Sequence, residues 1–174
     1  MKRIHLLRHA KSSWKNLALA DIDRPLNKRG LKTAPQMAQH IADAGCCFDQ
    51  IYCSPSKRTR MTIELIMQSL HNSATERHKG LTTIKWNVDE ALYCFSGRLL
   101  IDWFETLDDN LSEVLIIGHN PALTEFANTL CQCDIHNIPT CAYVQLNNQH
   151  LSSWNEIGSS IFELSVFLKP KEMI

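Results

Sequence analysis

The sequence has no net charge, no long apolar run and no internal repeat. Its 18 lysine and arginine residues balance 18 aspartate and glutamate residues, and its isoelectric point is about 7.1. A neutral chain has no overall attraction for nucleic acid or for an anionic membrane surface, so we expect neither as a partner. Because no stretch of about 18 apolar residues occurs, we expect no membrane-spanning helix. Any affinity for anions has to come from a local cluster.

The sequence also lacks a signal-peptide pattern and a regular cysteine pattern. The first apolar run stops at Arg8, and no small-residue cleavage site follows it. Seven cysteines at irregular spacing favour free thiols in a reducing, cytoplasmic setting. The group Cys131, Cys133, His136 and Cys141 matches no common zinc spacing, so buried or half-buried thiols are the favoured interpretation. We therefore expect no metal and no other cofactor.

The length of 174 residues corresponds to one domain spanning residues 1–174, and 44% apolar with 21% charged residues is typical of a globular protein. Apolar runs that predict strands alternate with segments that have helical periodicity. The predicted strands are Ile4–Leu7, Gln50–Cys53, Thr82–Trp86 at an edge, Val114–Ile117, Ala142–Leu146 and Ile161–Leu168. This alternation predicts an α/β fold, a three-layer sandwich with a mainly parallel central sheet and helices on both faces.

Helix starts are marked by capping residues. Asn27 is a predicted N-cap for a helix that runs to about Ala44, with Gly45 as its stop. Ser54-Pro55 predicts the start of a second helix, which runs to about Leu70. Further helices are predicted from Ser96 to about Leu107 and after Asn120-Pro121. The residues predicted to face the core are Leu31, Ala34, Met37, Ala38 and Ile41 in the first helix, and Leu123, Phe126, Ala127 and Leu130 in the last.

Strongly polar residues follow three of the predicted strands. The first strand ends in Arg8-His9, the second leads into the helix that carries Arg58, and the buried fourth strand ends in His119. The carboxyl ends of parallel strands lie at one edge of a sheet, which is where ligands of such folds bind. One such histidine is most often structural, but two histidines and two arginines at one edge predict an anion site.

Arg58 is distinguished from its neighbours Lys57 and Arg60 by helical phase. At about 100° per residue, Arg58 lies near the centre of the face defined by Met61, Thr62, Leu65 and Ile66. Arg60 lies on the opposite side and Lys57 at one flank, so both are expected to be solvated. An inward arginine requires several hydrogen-bond acceptors or an anionic partner, either a carboxylate or a phosphate, because an unpaired buried charge is costly.

Four ordered segments, "LLRHAKSSW", "DRPLNKRG", "YCSPSKRTRMT" and "VLIIGHNP", resemble the histidine phosphatase superfamily, which includes the cofactor-dependent phosphoglycerate mutases. The resemblance spans residues 2 to about 130. The "RHAKSSW" and "RPLNKRG" segments and the short chain are most similar to the SixA branch, the phosphohistidine phosphatases. This resemblance implies the phosphoglycerate mutase-like fold and a metal-independent phosphatase that removes phosphate from phosphohistidine on a protein, such as a phosphorelay or phosphocarrier protein.

The resemblance implies that His9 is the nucleophile that becomes phosphorylated, with Arg8, Arg58 and His119 as the other members of the phosphate pocket. For attack on phosphorus, His9 must be neutral, with one ring nitrogen donating its proton to an acceptor and the other lone pair free. We expect a protonated His119 to neutralise charge on phosphate together with the arginines. Lys11 and Ser12 are weaker candidates for substrate contact.

The proton donor to the leaving group is not evident. Many members of the superfamily have a glutamate in the middle of the chain, but Cys94 stands at the corresponding position here, and Asn120 follows the second histidine. Asp89 and Glu90 lie nearby but out of register, and Glu90 is the candidate we retain, although a surface carboxylate is the more common role. A weak acid function suits a P–N substrate better than an alkyl phosphate ester, because imidazole leaves more easily than an alkoxide.

Three other functions remain open at this point. A small-molecule phosphomonoesterase would turn over alkyl phosphates, and a non-catalytic phosphate-binding module would keep the pocket without the reaction. A phosphoglycerate mutase is disfavoured, since those enzymes are usually longer. Two loop residues also have alternative roles: Trp14 contacts substrate or packs in the core, and Arg24 lies near the phosphate or anchors its loop.

Overall fold

The computed structural model describes residues 1–45, 47–72 and 84–173. In this part of the chain, six strands form one sheet in the order β3-β2-β4-β1-β5-β6. The strands are β1 (Lys2–Arg8), β2 (Gln50–Cys53), β3 (Trp86–Val88), β4 (Glu113–Gly118), β5 (Tyr143–Asn148) and β6 (Glu163–Leu168). The pairs β1–β4, β4–β2 and β2–β3 are parallel, whereas β1–β5 and β5–β6 are antiparallel. The predicted α/β fold with a mainly parallel sheet is confirmed.

Helices cover both faces of this sheet. They are α1 (Lys28–Asp43), α2 (Lys57–Asn72), α3 (Gly97–Phe104), α4 (Ala122–Cys131) and the short α5 (Pro170–Met173). Neighbouring strand residues point to opposite faces. Leu6 and Ile116 pack with α3 and α4, whereas Leu7 and Ile117 pack with α1 and α2. The strands are therefore apolar on both faces, which gives the three layers predicted from the sequence.

The start of α1 agrees with its predicted cap. The Asn27 side chain accepts a hydrogen bond from the Gly30 backbone N–H at 2.9 Å. Gly30 itself lies against the loop after β1, because a Cβ there would be only 2.3 Å from the Lys11 carbonyl oxygen. Leu31 was predicted to face the core and is exposed instead. The buried stripe of α1 begins at Gly30, one residue earlier and therefore about 100° away around the helix.

The predicted cap of α2 is wrong. The helix begins at Lys57 rather than after Ser54, and the Ser56 hydroxyl accepts the Thr59 backbone N–H at 3.4 Å. Ser54 is buried and extends the sheet, since its backbone N–H donates to the Ile117 carbonyl at 3.0 Å. Its hydroxyl does not cap the helix and forms a hydrogen bond with His119 instead.

The remaining elements differ from the prediction mainly at their ends. The edge position of β3 is confirmed, but the strand begins at Trp86, and residues 82 and 83 of the predicted strand lie outside the described residues. The third helix ends at Phe104 rather than Leu107. All four residues predicted to face the core from α4 are buried. No helix in the described ranges is both long and apolar enough to cross a membrane.

Candidate active site

The carboxyl ends of β1, β2 and β4 bring the predicted site residues together. Arg8 is in register with Gly118 at the ends of the two central strands, so His9 and His119 follow side by side. Their ring centroids are 5.3 Å apart. Arg58 enters from the first turn of α2 and places its Nη2 atom 3.2 Å from His119 Nδ1. The structure thus brings Arg8, His9, Arg58 and His119 to one edge of the sheet, as the sequence predicted.

Helical phase identified the correct arginine. Only 3% of Arg58 is exposed, whereas Lys57 and Arg60 are both exposed. The anionic partner of Arg58 within the protein is a carboxylate, because its Nη2 atom lies 2.8 Å from Asp21 Oδ2 and its Nη1 atom donates to the Asp21 carbonyl at 2.5 Å.

His9 has a defined tautomer. Its Nδ1 atom lies 2.8 Å from the Ala10 carbonyl oxygen, which can only accept, so Nδ1 carries the proton and the Nε2 lone pair is free. Burial, followed by the charges of Arg58, Arg8 and Arg24, lowers the pKa of His9 to about 3, against the opposing effect of the hydrogen bond to Ala10. The ring is therefore neutral at neutral pH, which is the state needed for nucleophilic attack.

His119 is also neutral, which corrects the expectation of a protonated ring. Burial and the nearby charges of His9 and Arg58 lower the pKa of His119 to about 2, although Asp21 opposes this shift. The Arg58 guanidinium donates to Nδ1, so Nε2 carries the proton and donates to Ser54 Oγ at 2.8 Å. Since a hydroxyl can also donate, Ser54 permits the other neutral tautomer, in which Nδ1–H faces the pocket.

Arg24 is a third arginine near His9, and it also holds the surrounding loop through side-chain contacts. It is buried, and its charge acts on His9. One nitrogen donates to Ser12 Oγ and another to Asp21 Oδ1 at 2.9 Å. Its guanidinium also stacks on the exposed Trp14 ring, 3.4 Å from the centroid, so Trp14 is not a core residue.

Each of the three arginines has an unpaired Nε atom, a property that Arg3 outside the site shares. The Nε atoms of Arg8, Arg24 and Arg58 are buried and have no hydrogen-bond partner among the described residues. Arg8 is held instead through Nη1, which donates to the Ile138 carbonyl at 2.7 Å and to Asn137 Oδ1 at 3.2 Å. Buried donors normally have partners, so three unpaired guanidinium N–H groups around one histidine favour binding of a multidentate anion.

Asp21 and Tyr93 belong to the site, and sequence reasoning missed both. The Tyr93 hydroxyl donates to Asp21 Oδ2 at 2.7 Å, and the Tyr93 ring lies edge-on to His119 with centroids 5.4 Å apart. The Phe95 ring lies 5.3 Å from His119 on the same side. No sequence signal distinguishes Asp21 from Asp23 in the same short 3-10 turn, because the contact with Arg58 spans 37 residues.

Three residues lie at or near the position expected for the proton donor, and none of them contacts His9 or His119 in the described part of the chain. Cys94 is buried in the core, where burial raises the pKa of its thiol, whereas its neighbours Tyr93 and Phe95 contact His119. Glu90 is exposed in a 3-10 turn and forms no side-chain hydrogen bond or ion pair with a site residue in the described part of the chain. Asp89 caps that turn and accepts the Trp103 indole N–H at 3.0 Å.

The weaker substrate-binding candidates fall into two groups. Ser12 is buried and is linked to the site through Arg24. The Lys11 side chain is exposed and makes no side-chain contact with the site in the described ranges, while its backbone carbonyl accepts the Asn27 N–H at 2.9 Å. Asn120 donates to Asn137 Oδ1 and the Ile138 carbonyl, the same two acceptors that hold Arg8.

Among the described residues, no group of three or more histidine, cysteine, aspartate and glutamate side chains has the geometry to hold a metal ion. Cys131, Cys133 and Cys141 have free thiols, as do Cys47, Cys53 and Cys94. The spacing of the cysteines around His136 therefore does not produce a metal site in this part of the chain.

Comparisons with known proteins agree with this geometry. Residues 4–95, which include Arg8, His9 and Arg58, match the family model of the histidine phosphatase superfamily, branch 1. A chloroplastic protein of Arabidopsis thaliana is 31% identical over 157 residues, which is 89% of this chain and 70% of the relative. Bacterial phosphoglycerate mutases match over 93 residues, 52% of this chain and 35% of their own length, at 31–32% identity.

Solved structures show the same architecture over nearly the whole chain. A SixA protein from Agrobacterium tumefaciens has a TM-score of 0.77 at 22% identity, covering 97% of this chain and 98% of its own. The protein histidine phosphatase SixA complexed with tungstate has a TM-score of 0.75 at 18% identity, covering 99% of both chains. This chain belongs to the histidine phosphatase superfamily, branch 1, and has the phosphoglycerate mutase-like fold of the SixA proteins.

Proposed function

We propose that this protein is a phosphohistidine phosphatase that acts on a phosphorylated protein histidine through a covalent phospho-His9 intermediate. The observation that carries the proposal is the arrangement around His9: a neutral ring whose Nδ1 proton is held by Ala10, with Arg8, Arg24 and Arg58 presenting unpaired Nε–H groups. Family membership supports the coarser assignment, phosphatase activity.

In the first step, the Nε2 lone pair of His9 attacks phosphorus, and the bond to the leaving group breaks with its electron pair. The guanidinium groups of Arg8, Arg24 and Arg58 bind the equatorial oxygens, where charge is concentrated in phosphoryl transfer. His119 is neutral and holds Arg58 in place, since its Nδ1 accepts from Arg58 Nη2 while its Nε2 donates to Ser54 Oγ. Phospho-His9 keeps its Nδ1 proton, which remains hydrogen-bonded to Ala10.

Two observations favour a P–N substrate on a protein over a small phosphate ester. The carboxylate in contact with Arg24 and Arg58 in the described part of the chain is Asp21, and its lowered pKa keeps it ionised, so it does not protonate an alkoxide. Imidazole needs no such proton when its other ring nitrogen is protonated. In addition, the residues around the pocket include exposed Trp14 and Phe95, which leaves the site accessible to a protein side chain. One structural neighbour, SixA complexed with tungstate, is a protein histidine phosphatase.

Trapping of the intermediate tests this function. Wild-type protein mixed with a phosphohistidine-bearing carrier protein and quenched rapidly in base should carry acid-labile phosphate. His9→Ala should carry none, and His71→Ala, which removes an exposed histidine of α2, should label like wild type. Absence of label on wild type, without release of inorganic phosphate, would identify a non-catalytic phosphate-binding module instead.

A further inference from the structure

Asp21 is a carboxylate held directly between two arginines of the site. Its Oδ1 atom accepts from Arg24 Nη1 at 2.9 Å, and its Oδ2 atom accepts from Arg58 Nη2 at 2.8 Å and from the Tyr93 hydroxyl at 2.7 Å. Arg58 Nη2 also contacts His119 Nδ1, so this one guanidinium nitrogen bridges the Asp21 carboxylate and the His119 ring. The side chain is nevertheless 46% exposed, which places it at the mouth of the site.

Donors among the described residues leave this carboxylate one acceptor position. A carboxylate offers about four lone-pair sites, and three donors use one site on Oδ1 and two on Oδ2. The remaining site is on Oδ1, in a side chain that water can reach.

The surroundings keep Asp21 ionised. Partial burial acts to raise its pKa, but hydrogen bonds from Tyr93 and Arg58 and the charges of Arg58 and Arg24 outweigh burial and lower it. An ionised carboxylate cannot donate a proton to a leaving group, but it can accept one from water.

We propose that Asp21 is the general base that activates water for hydrolysis of phospho-His9; this inference rests on the function proposed above. The water oxygen attacks phosphorus, and its proton passes to the free site on Asp21 Oδ1. The P–Nε2 bond breaks, and its electron pair returns to His9, which is left neutral with its proton on Nδ1. Asp21 then releases the proton to solvent, and phosphate leaves with the other hydrogen of the water.

In this role Asp21 supplies the site with a base rather than with an acid. Hydrolysis of the intermediate is accelerated, whereas formation of the intermediate from an alkyl phosphate is not, because that leaving group requires a proton. This difference between the two steps favours phosphoryl donors whose leaving group needs no proton on the atom that was bound to phosphorus. An imidazole that is already protonated on its other nitrogen is such a leaving group.

The test compares Asp21→Asn with Asp23→Asn. Asp23 is an exposed residue of the same 3-10 turn, and no side-chain contact with the site is found for it in the described ranges. With a phosphohistidine protein as donor, Asp21→Asn should form phospho-His9 within a few-fold of the wild-type rate and hydrolyse it about 10²–10⁴-fold more slowly, so phosphoenzyme accumulates. Asp23→Asn should match wild type in both steps.

Other outcomes separate the possible failures. If Asp21→Asn forms phospho-His9 slowly and never accumulates it, Asp21 only positions the arginines and the base assignment is wrong. If wild type itself forms no phospho-His9, the proposed function fails before Asp21 is tested. Should Asp21→Asn not fold, Tyr93→Phe provides a second measurement. Loss of that hydrogen bond should raise the pKa of Asp21 and move the acid limb of the hydrolysis rate to higher pH, and an unmoved limb would overturn the proposal.

Discussion

Ser54 and His119 are joined by a hydrogen bond of 2.8 Å between Ser54 Oγ and His119 Nε2. Both residues are buried, and this bond determines which nitrogen of His119 faces the pocket. The contact crosses from the end of β2 to the end of β4, so it exists only because these strands are neighbours.

Ser54→Ala tests the role of this bond. We expect a loss of stability of about 1–3 kcal/mol, because a buried ring nitrogen loses its partner, together with a fall in kcat/KM on the phosphohistidine donor. The control is Ser56→Ala, which removes a buried hydroxyl that contacts Thr59 but not His119. Denaturant unfolding and steady-state kinetics measure the two effects. A Ser54→Ala protein with unchanged kcat/KM would show that the orientation of His119 does not depend on Ser54.

Arg58→Ala and Arg60→Ala form a matched pair on one helix. Arg58 is buried against Asp21 and His119, so its loss should lower kcat/KM by about 10²–10³-fold. Arg60 is exposed, so its loss should change kcat/KM by no more than about twofold. Circular dichroism of both variants checks that the fold is kept. Equal effects of the two changes would contradict the assignment made from helical phase.

The low pKa values of the two histidines predict how stability depends on pH. In the unfolded chain each ring titrates near its ordinary pKa of about 6.5, whereas in the fold the pKa of His9 is about 3 and that of His119 about 2. Below pH 6.5 the unfolded state therefore binds more protons, and the free energy of unfolding should fall as the pH drops toward 3.

Ring-proton NMR and denaturant unfolding measure these two effects. The His9 and His119 signals should stay at neutral-imidazole positions down to about pH 4. A His9→Asn variant should lose less stability than wild type between pH 7 and pH 5. Titration of His9 near pH 6 would show that burial and the arginines do not keep it neutral.

Substrate preference distinguishes a phosphohistidine phosphatase from a phosphomonoesterase. Since Asp21, the carboxylate in contact with Arg24 and Arg58, is held ionised, we expect kcat/KM on a phosphohistidine carrier protein to exceed that on a sugar phosphate by at least about 10²-fold, the lower range of a general acid's contribution. Release of inorganic phosphate measures both reactions under the same conditions. Strong preference for the sugar phosphate would favour the phosphomonoesterase, and transfer between phosphoglycerates would favour a mutase.

Much of this protein follows from local pattern alone. Short apolar runs in the strands and the 3.6-residue periodicity of the helices predicted the layers, and helical phase separated Arg58 from Arg60, because burial of an amphipathic helix depends only on which face is apolar. His9 and His119 were predicted together because parallel strands end at one edge, whatever their order. Local pattern was least accurate at the ends of elements. Ser54 is of a residue type that often caps helices, but its side chain forms a hydrogen bond with His119 instead.

Contacts between residues far apart in the chain were decided only by the tertiary structure. Asp21 and Asp23 are equivalent in sequence, and Tyr93 is adjacent to a core cysteine, yet Asp21 and Tyr93 meet across 72 residues beside His119. The neutral state of His119 likewise results from burial and from charges on other elements rather than from its own neighbours in sequence. The residue types of the site could be identified from the sequence. Their protonation states and hydrogen-bond partners could not, because electrostatic interactions and hydrogen bonds depend on which residues the fold brings close together in space.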